Sequence, residues 1–176
     1  MGTRLAPACL AAALAATPAF ALMEPSGIAP GLRAPANEVP AFMLSGNGVM
    51  VYQCKATLAN PDVYAWFFVA PDATLYDGSH ATARMATPNL LESLDDGTSL
   101  SGIVRAAQAS PGALPWTLVQ AQSMGDTGIF ANVSSMQRVN TRGGLPPATG
   151  CNADNDGAES RVAFNADYYF YRRRGA

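Results

Sequence analysis

The sequence predicts an all-β domain, an antiparallel sandwich or barrel of about seven to eight strands with one disulfide. Turn-forming clusters recur roughly every 10–20 residues, as they do in sandwiches and barrels. Residues 161–171 alternate strictly between two sets of side chains, the pattern of a strand with one face on a core. The 16 glycines and 13 prolines favour many short elements over long helices.

Length and charge exclude several classes of protein. A chain of 176 residues corresponds to one domain and leaves no room for a two-domain enzyme. With 49% hydrophobic and 14% charged residues, it is neither a disordered tail nor a coiled coil. A net charge of −2 and a pI near 5.2 provide no electrostatic footprint for nucleic acid, so no nucleic-acid partner is expected.

Residues 1–21 have the features of a secretory signal peptide. Arg4 precedes an apolar run over residues 5–16, which is shorter than the ~20 residues that a bilayer span needs. Ala19-Phe20-Ala21 then supplies a small-residue cleavage pattern. The sequence therefore predicts a secreted or periplasmic protein without a transmembrane segment in the mature chain. A buried N-terminal helix is the alternative interpretation.

Cleavage after Ala21 would remove Cys9 and leave Cys54 and Cys151. Two cysteines in an oxidising compartment predict one disulfide, with two buried free thiols as the alternative. A metal pair is disfavoured because His80 is the only histidine and neither cysteine has a second one nearby. The sequence predicts no metal and no other cofactor.

The mature chain divides into three predicted regions. Residues 22–47 form a Pro/Gly-rich leader, residues 48–171 the β domain, and residues 172–176 a basic tail. Within the β domain, the apolar run 64–69 predicts a central strand covered on both faces. Residues 88–94 are interpreted as a single helical turn. The three arginines of the tail favour a solvated strand end over a polyanion contact.

Ordered landmarks along the β domain resemble a known family. They are Val51-Tyr52-Gln53-Cys54, Trp66-x-Phe68-x-Ala70-Pro71-x-Ala73-x-Leu75, Asp96-Gly97-Thr98-Ser99, Leu114-Pro115-Trp116, the run from Gln137 to Pro147, Gly150-Cys151, and Ala166-Asp167-Tyr168-Tyr169-Phe170-Tyr171. In this order they resemble the secreted domain-of-unknown-function family 3455 of bacteria and fungi. The resemblance implies export and pairing of the two cysteines, and it implies no assigned activity.

One stretch departs from the family pattern. Members usually carry a His-Tyr-Ala-Gly-Pro-Thr-Trp-like stretch before the Asp-Gly-Ser turn, whereas residues 84–92 read Arg-Met-Ala-Thr-Pro-Asn-Leu-Leu-Glu. The proline is kept, and the histidine and tryptophan are missing. If that stretch forms a site in relatives, this chain lacks the site or uses it differently.

Two loops are candidate ion sites. Asn152, Asp154 and Asp156 alternate as oxygen ligands in the manner of a calcium loop, but the twelfth place that needs a Glu is alanine, which favours a solvated loop. The run Arg142-Gly143-Gly144 could cradle an anion through backbone N–H groups and a guanidinium. A turn that needs positive φ is the competing explanation for its two glycines.

Catalytic candidates are sparse. His80 could act as a general base, yet no Gly-x-Ser-x-Gly elbow accompanies it, so a surface-loop histidine is favoured. Adjacent Asp95 and Asp96 favour a turn over an acid pair. Glu92 and Asp96 could serve an extracellular hydrolase of carbohydrate or ester bonds only if both faced one cleft.

Tyr169 and Tyr171 are expected to point outward from the last strand, where they could form a surface for carbohydrate or peptide. Core packing or cover by a second sheet is the competing account. Asn132 begins an N-glycosylation sequon inside a predicted strand and matters only in a eukaryotic source.

The absence of a nucleophile–base pair favours a secreted or cell-envelope binding module without catalysis. The alternatives are the carboxylate-dependent hydrolase and a structural surface protein.

Overall fold

The structure is a computed structural model and describes residues 24–88 and 90–175. Eight antiparallel strands follow one another in chain order and close into a barrel, because the last strand pairs with the first. The strands are β1 (Glu38–Ala56), β2 (Tyr64–Asp77), β3 (His80–Thr87), β4 (Leu90–Ser93), β5 (Ser99–Ser110), β6 (Ala113–Met124), β7 (Val133–Gly143) and β8 (Glu159–Arg173). Short 3₁₀ helices lie at Pro30–Leu32 and Ala153–Asn155. The predicted all-β antiparallel fold is confirmed.

The barrel begins before the predicted boundary at residue 48, because β1 starts at Glu38 inside the expected leader. Pro40 is accommodated at a register shift between β1 and β8, where a missing N–H is tolerated. Gly46 and Gly48 lie where neighbouring strands come close: a Cβ at Gly48 would collide with the backbone of Asp72. The Pro/Gly-rich stretch therefore forms a strand because of contacts with neighbouring strands, which cannot be read from the sequence.

The predicted basic tail is also partly a strand, since β8 continues to Arg173. Arg172 donates a hydrogen bond to the carbonyl of Ile129 at 2.9 Å, and its guanidinium lies 5.7 Å from the centre of the Phe42 ring. Arg172 therefore packs against the barrel instead of extending into solvent.

The apolar run 64–69 is not covered on both faces as expected. Phe67, Phe68 and Val69 are 41%, 49% and 48% exposed. β3 pairs with β2 from Ala73 onward, so among the strands of residues 24–88 and 90–175 the first half of β2 pairs with β1 alone. The run is therefore an apolar strand segment that is exposed to solvent, and it is not a central strand.

Residues 90–93 form strand β4 and not the expected helical turn. Leu91 and Ser93 are buried, whereas Leu90 and Glu92 are partly exposed. Burial that alternates from one residue to the next is the pattern of a strand. A run of four residues is too short for hydrophobic alternation in the sequence to identify it.

The core fills the barrel with aromatic and aliphatic side chains. Phe42 stacks on Phe170 with ring centres 4.5 Å apart, and Phe130 lies beside Phe170. Around them pack buried residues from several strands, among them Leu44, Tyr52, Leu75, Leu91, Leu100, Phe164 and Tyr168.

The predicted disulfide between Cys54 and Cys151 is confirmed, with the two Cα atoms 5.4 Å apart. It joins the end of β1 to the loop before β8. Main-chain hydrogen bonds support the junction: the Cys54 N–H donates to the Ala158 carbonyl at 2.9 Å, and the Gly157 N–H donates to the Cys54 carbonyl at 2.8 Å. The predicted signal peptide, with Cys9, lies outside the described residues. No helix in the described ranges is long and apolar enough to span a membrane.

Candidate functional site

A cavity of about 80 Å³ lies in the barrel wall beside the core, and strands β3 to β8 all contribute to its lining. Most of the lining is apolar and includes Met85, Leu91, Val119 and Met136. Gly102 lets the Val119 side chain lie directly over β5, since a Cβ at position 102 would collide with it. The result is a largely apolar cavity that reaches the surface at Val104, which is 47% exposed.

Four polar side chains interrupt the apolar lining: the small hydroxyl residues Ser101 and Thr117, and the larger Arg138 from β7 and Tyr168 from β8. Arg138 and Tyr168 are direct partners in the β7–β8 register and therefore project from the same face of the sheet. One NH2 group of Arg138 donates to the carbonyl of Pro115 at 3.0 Å. The buried Nε of Arg138 and the buried hydroxyl of Tyr168 make no hydrogen bond of good geometry within the described residues, although Arg138 lies close enough to Tyr168 for its N–H groups to act on the phenol oxygen. The phenol proton therefore has no acceptor there. Both groups are left with unused capacity beside the cavity.

The hydroxyl of Tyr168 remains protonated at neutral pH. Burial raises the pKa of Tyr168 to about 12, and the positive charge of Arg138 opposes the rise. Burial also raises the pKa of Tyr52, whose hydroxyl donates to the carbonyl of Gly144 at 2.5 Å. Tyr168 is therefore a neutral hydrogen-bond donor next to a permanent cation.

Gly46 fixes the position of the Tyr168 ring. A Cβ at Gly46 would lie 2.5 Å from Cε2 of Tyr168, so only a glycine on β1 leaves room for the ring in this orientation. The alternation of residues 161–171 placed Tyr168 on the core side, as observed. The sequence missed Arg138 because nothing in it specifies the β7–β8 register that sets the two side chains opposite each other.

The expected outward aromatic pair is not a surface pair. Tyr171 is 0% exposed, and its hydroxyl donates to Oε1 of Gln137 at 2.5 Å. The segment around Leu32 covers this outer face, since Nε2 of Gln137 donates to the Leu32 carbonyl at 2.5 Å. Tyr169 remains partly exposed. Cover therefore comes from the N-terminal segment and not from a second sheet.

The run Arg142-Gly143-Gly144 ends β7 in a turn. Gly143 has φ of +66° and Gly144 has φ of +81°, values that L side chains rarely adopt. The Gly144 N–H donates to the carbonyl of Ala163 at 2.9 Å. The turn accounts for both glycines, while Arg142 is exposed beside it.

In the calcium-like loop, the side-chain oxygens of Asn152 and Asn155 accept hydrogen bonds from the backbone of the loop. Oδ1 of Asn152 accepts from the N–H of Asp154 at 2.9 Å, and Oδ1 of Asn155 accepts from the N–H of Asn152 at 2.8 Å. These bonds cap the 3₁₀ helix Ala153–Asn155. Asp156 follows as its C-terminal cap residue. Across residues 24–88 and 90–175, no three His, Cys, Asp or Glu side chains are grouped to hold a metal ion.

The carboxylates of the hydrolase alternative each have a structural partner. Glu92 accepts from Nε of Arg84 at 2.9 Å across the β3–β4 pair. Hydrogen bonds from the hydroxyl and N–H of Thr98 and from the N–H of Ile129 hold the pKa of Asp96 well below its usual range. Asp96 thereby links the β4–β5 loop to the chain before β7.

His80 and Asp95 form an exposed pair, with Nε2 of His80 2.9 Å from Oδ2 of Asp95. Asn132 is exposed with φ of 59° and directly precedes β7, so the sequon asparagine lies at the start of the strand and Val133 and Ser134 lie within it.

The fold defines a class of architecture, the closed antiparallel barrel of eight strands, and the cavity lies in the wall of this barrel. A family model described as "Protein of unknown function (DUF3455)" matches residues 35–100 and 93–172. The chain belongs to this family, and the resemblance seen in its sequence landmarks is confirmed. No curated protein and no solved structure matches the chain.

Proposed function

We propose that this chain is an exported binding domain without catalytic activity, and that its ligand site is the cavity beside Arg138 and Tyr168. The observation that carries the proposal is the Tyr168 hydroxyl, which lines the cavity in a side chain only 1% exposed and has no acceptor for its proton within the described residues. Buried polar groups in folded proteins are almost always paired. A ligand that enters the cavity would complete this pairing.

The arrangement of the ionisable groups supports binding over hydrolysis. Neither Glu92 nor Asp96 is among the residues that line the cavity in the described part of the chain. Each carboxylate already holds hydrogen bonds that stabilise its own hairpin or loop. A glycosidase would need two carboxyl groups that flank one substrate bond. Burial of Tyr171 likewise weakens the case for an outer aromatic surface that binds carbohydrate or peptide.

The disulfide supports export. Cross-links such as Cys54–Cys151 form and persist in oxidising compartments and are rare in the cytosol. Together with the features of residues 1–21, it favours a secreted or periplasmic location. Mass determination and thiol counting on the purified protein test this. We expect a chain that begins after Ala21 and carries no free thiol; an uncleaved chain with free thiols would contradict export.

The binding proposal is tested by NMR titration of the ¹⁵N-labelled mature protein with a panel of small alcohols, amides and carboxylates. We expect at least one compound to shift amide signals of cavity-lining residues such as Gly102 and Met136. Ala121→Leu, which fills the cavity, should suppress the shifts, whereas Ala107→Leu on the exposed side of β5 should not. No response from any compound, or an equal response in Ala121→Leu, would overturn the proposal.

A further inference from the structure

The guanidinium of Arg138 is a cation without an anionic partner. Within the described residues, no carboxylate lies within the 4.0 Å that defines an ion pair with Arg138, although Arg84 and Arg161 both have such partners. One of its NH2 groups donates to the carbonyl of Pro115, which is a neutral acceptor. A charge beside apolar walls is costly unless it is paired. The cavity therefore favours a ligand that brings a negative charge.

The placement of the two polar groups favours a carboxylate. Arg138 and Tyr168 face each other across the β7–β8 register, and both offer N–H or O–H donors toward one cavity. A carboxylate has two acceptor oxygens and can take one hydrogen bond from each group, and charge-assisted bonds of this kind are the strong ones. A neutral amide has one acceptor oxygen and leaves the cation unpaired.

The size and the walls of the cavity restrict the rest of the ligand. Met85, Leu91, Val119 and Met136 offer no polar side-chain donor, and besides Arg138 and Tyr168 the lining adds the hydroxyl residues Ser101 and Thr117. This mostly apolar lining suits an alkyl chain and disfavours a strongly hydrated inorganic anion. An apolar cavity of ~150 Å³ accommodates benzene. The volume here is about 80 Å³, and the lining reaches the surface at Val104, which is 47% exposed, so the cavity takes a carboxylate and the first carbon atoms of a short chain whose end extends toward Val104.

We propose that the cavity binds a short aliphatic monocarboxylate, with the carboxylate on Arg138 and Tyr168 and the alkyl chain against the apolar lining. The inference rests on the proposed binding function and adds the chemical class of the ligand.

The test compares butyrate with its neutral counterpart butyramide and with inorganic phosphate at pH 7, by NMR titration and calorimetry on the disulfide-bonded protein. We expect butyrate to bind at least about tenfold more tightly than butyramide, since a hydrogen bond to a charged group is worth ~1.5–3 kcal/mol. We expect phosphate not to compete.

Variants assign the preference to the two side chains. Arg138→Gln should abolish the difference between butyrate and butyramide, and Tyr168→Phe should weaken butyrate binding about tenfold. Arg142→Gln removes an exposed arginine from the same strand and should change neither affinity. Comparison of acid and amide on the unaltered protein keeps the test valid if Arg138→Gln fails to fold.

The outcomes separate the two proposals. Equal binding of butyrate and butyramide would overturn the carboxylate assignment and leave the binding function standing. Competition by phosphate at similar affinity would replace the carboxylate with a bare anion. If other compounds of the panel shift the amide signals and butyrate does not, the carboxylate assignment is also overturned. If no compound shifts any signal, the binding function itself is overturned.

Discussion

The hydroxyl of Tyr171 donates to Oε1 of Gln137 at 2.5 Å, and both side chains are completely buried on the outside of the barrel. Nε2 of Gln137 in turn donates a hydrogen bond to the carbonyl of Leu32. Three segments far apart in the chain are thus joined by one hydrogen-bonded chain under the N-terminal segment. The outer face of β7 and β8 behaves as a second small core.

Tyr171→Phe should lower the free energy of unfolding by about 1–3 kcal/mol, because Oε1 of Gln137 would remain buried without its donor. Urea denaturation followed by circular dichroism measures the change. Tyr169→Phe is the matched control on the same strand and should shift stability by less than about 0.5 kcal/mol. Equal effects of the two variants would contradict a structural role for the Tyr171 hydroxyl.

Replacement of both Cys54 and Cys151 by serine should lower the free energy of unfolding by about 2–5 kcal/mol, since the bond closes a separation of 97 residues. The main-chain bonds of Cys54 to residues 157 and 158 remain, so we expect the native far-UV spectrum at low temperature. Thermal and urea unfolding of the two proteins gives the comparison. An unchanged midpoint would show that the bond does not restrain the unfolded chain.

Gly48→Ala should destabilise the barrel by at least about 1–3 kcal/mol, because the new Cβ meets the backbone of Asp72 and Ala73 and the strands cannot separate without losing hydrogen bonds. Gly31→Ala introduces the same methyl group where no atom lies within 4 Å, and it should be neutral. Denaturation midpoints of the pair test the expectation. Similar midpoints would mean that β1 and β2 do not approach as closely as described.

Alkaline pH should destabilise the protein through Tyr168. Burial raises the pKa of Tyr168 to about 12, while the unfolded chain titrates near 10, so the folded state favours the neutral phenol. The contribution, about 2–3 kcal/mol, is fully present below pH 10 and is lost as the pH rises from 10 toward 12. Urea denaturation between pH 8 and 11.5 measures this fall. The free energy of unfolding of the Tyr168→Phe variant should fall less steeply over this pH range. Parallel curves of stability against pH for the two proteins would argue against burial of the phenol.

The sequence predicts those parts of the fold that local pattern determines. Alternation over residues 161–171 identified β8 and the inward side of Tyr168, and the count of cysteines identified the disulfide. Local pattern does not predict the structure where contacts between distant residues determine it. Gly46 and Gly48 look like loop residues in the sequence, and only the neighbouring strands β2 and β8 explain their place in a strand. Alternation likewise put Tyr171 on the outer face but could not show that the segment at Leu32 returns to cover it.

The candidate site was beyond sequence reasoning for a related reason. Arg138 and Tyr168 are 30 positions apart, and only the β7–β8 register makes them neighbours. Hydrophobic pattern fixes which side of a strand faces inward, whereas register also depends on turns and bulges, and this pair of strands has shifts at both ends. Several residues singled out from the sequence use their side-chain oxygens locally, since Glu92, Asp96 and Asn152 accept hydrogen bonds from their own hairpin or loop.

The pairing of β1 with β8 has a consequence for the newly made chain. A polypeptide that emerges N-terminus first presents β1 long before its partner on that side exists, and the ring stays open until residues 159–173 have emerged. Contacts this distant in sequence form slowly. Any product truncated before β8 would expose unsatisfied backbone along both β1 and β7, a template for sticking to other chains. The ring, and with it the cover of these two strand edges, is therefore complete only when residues 159–173 have paired with β1.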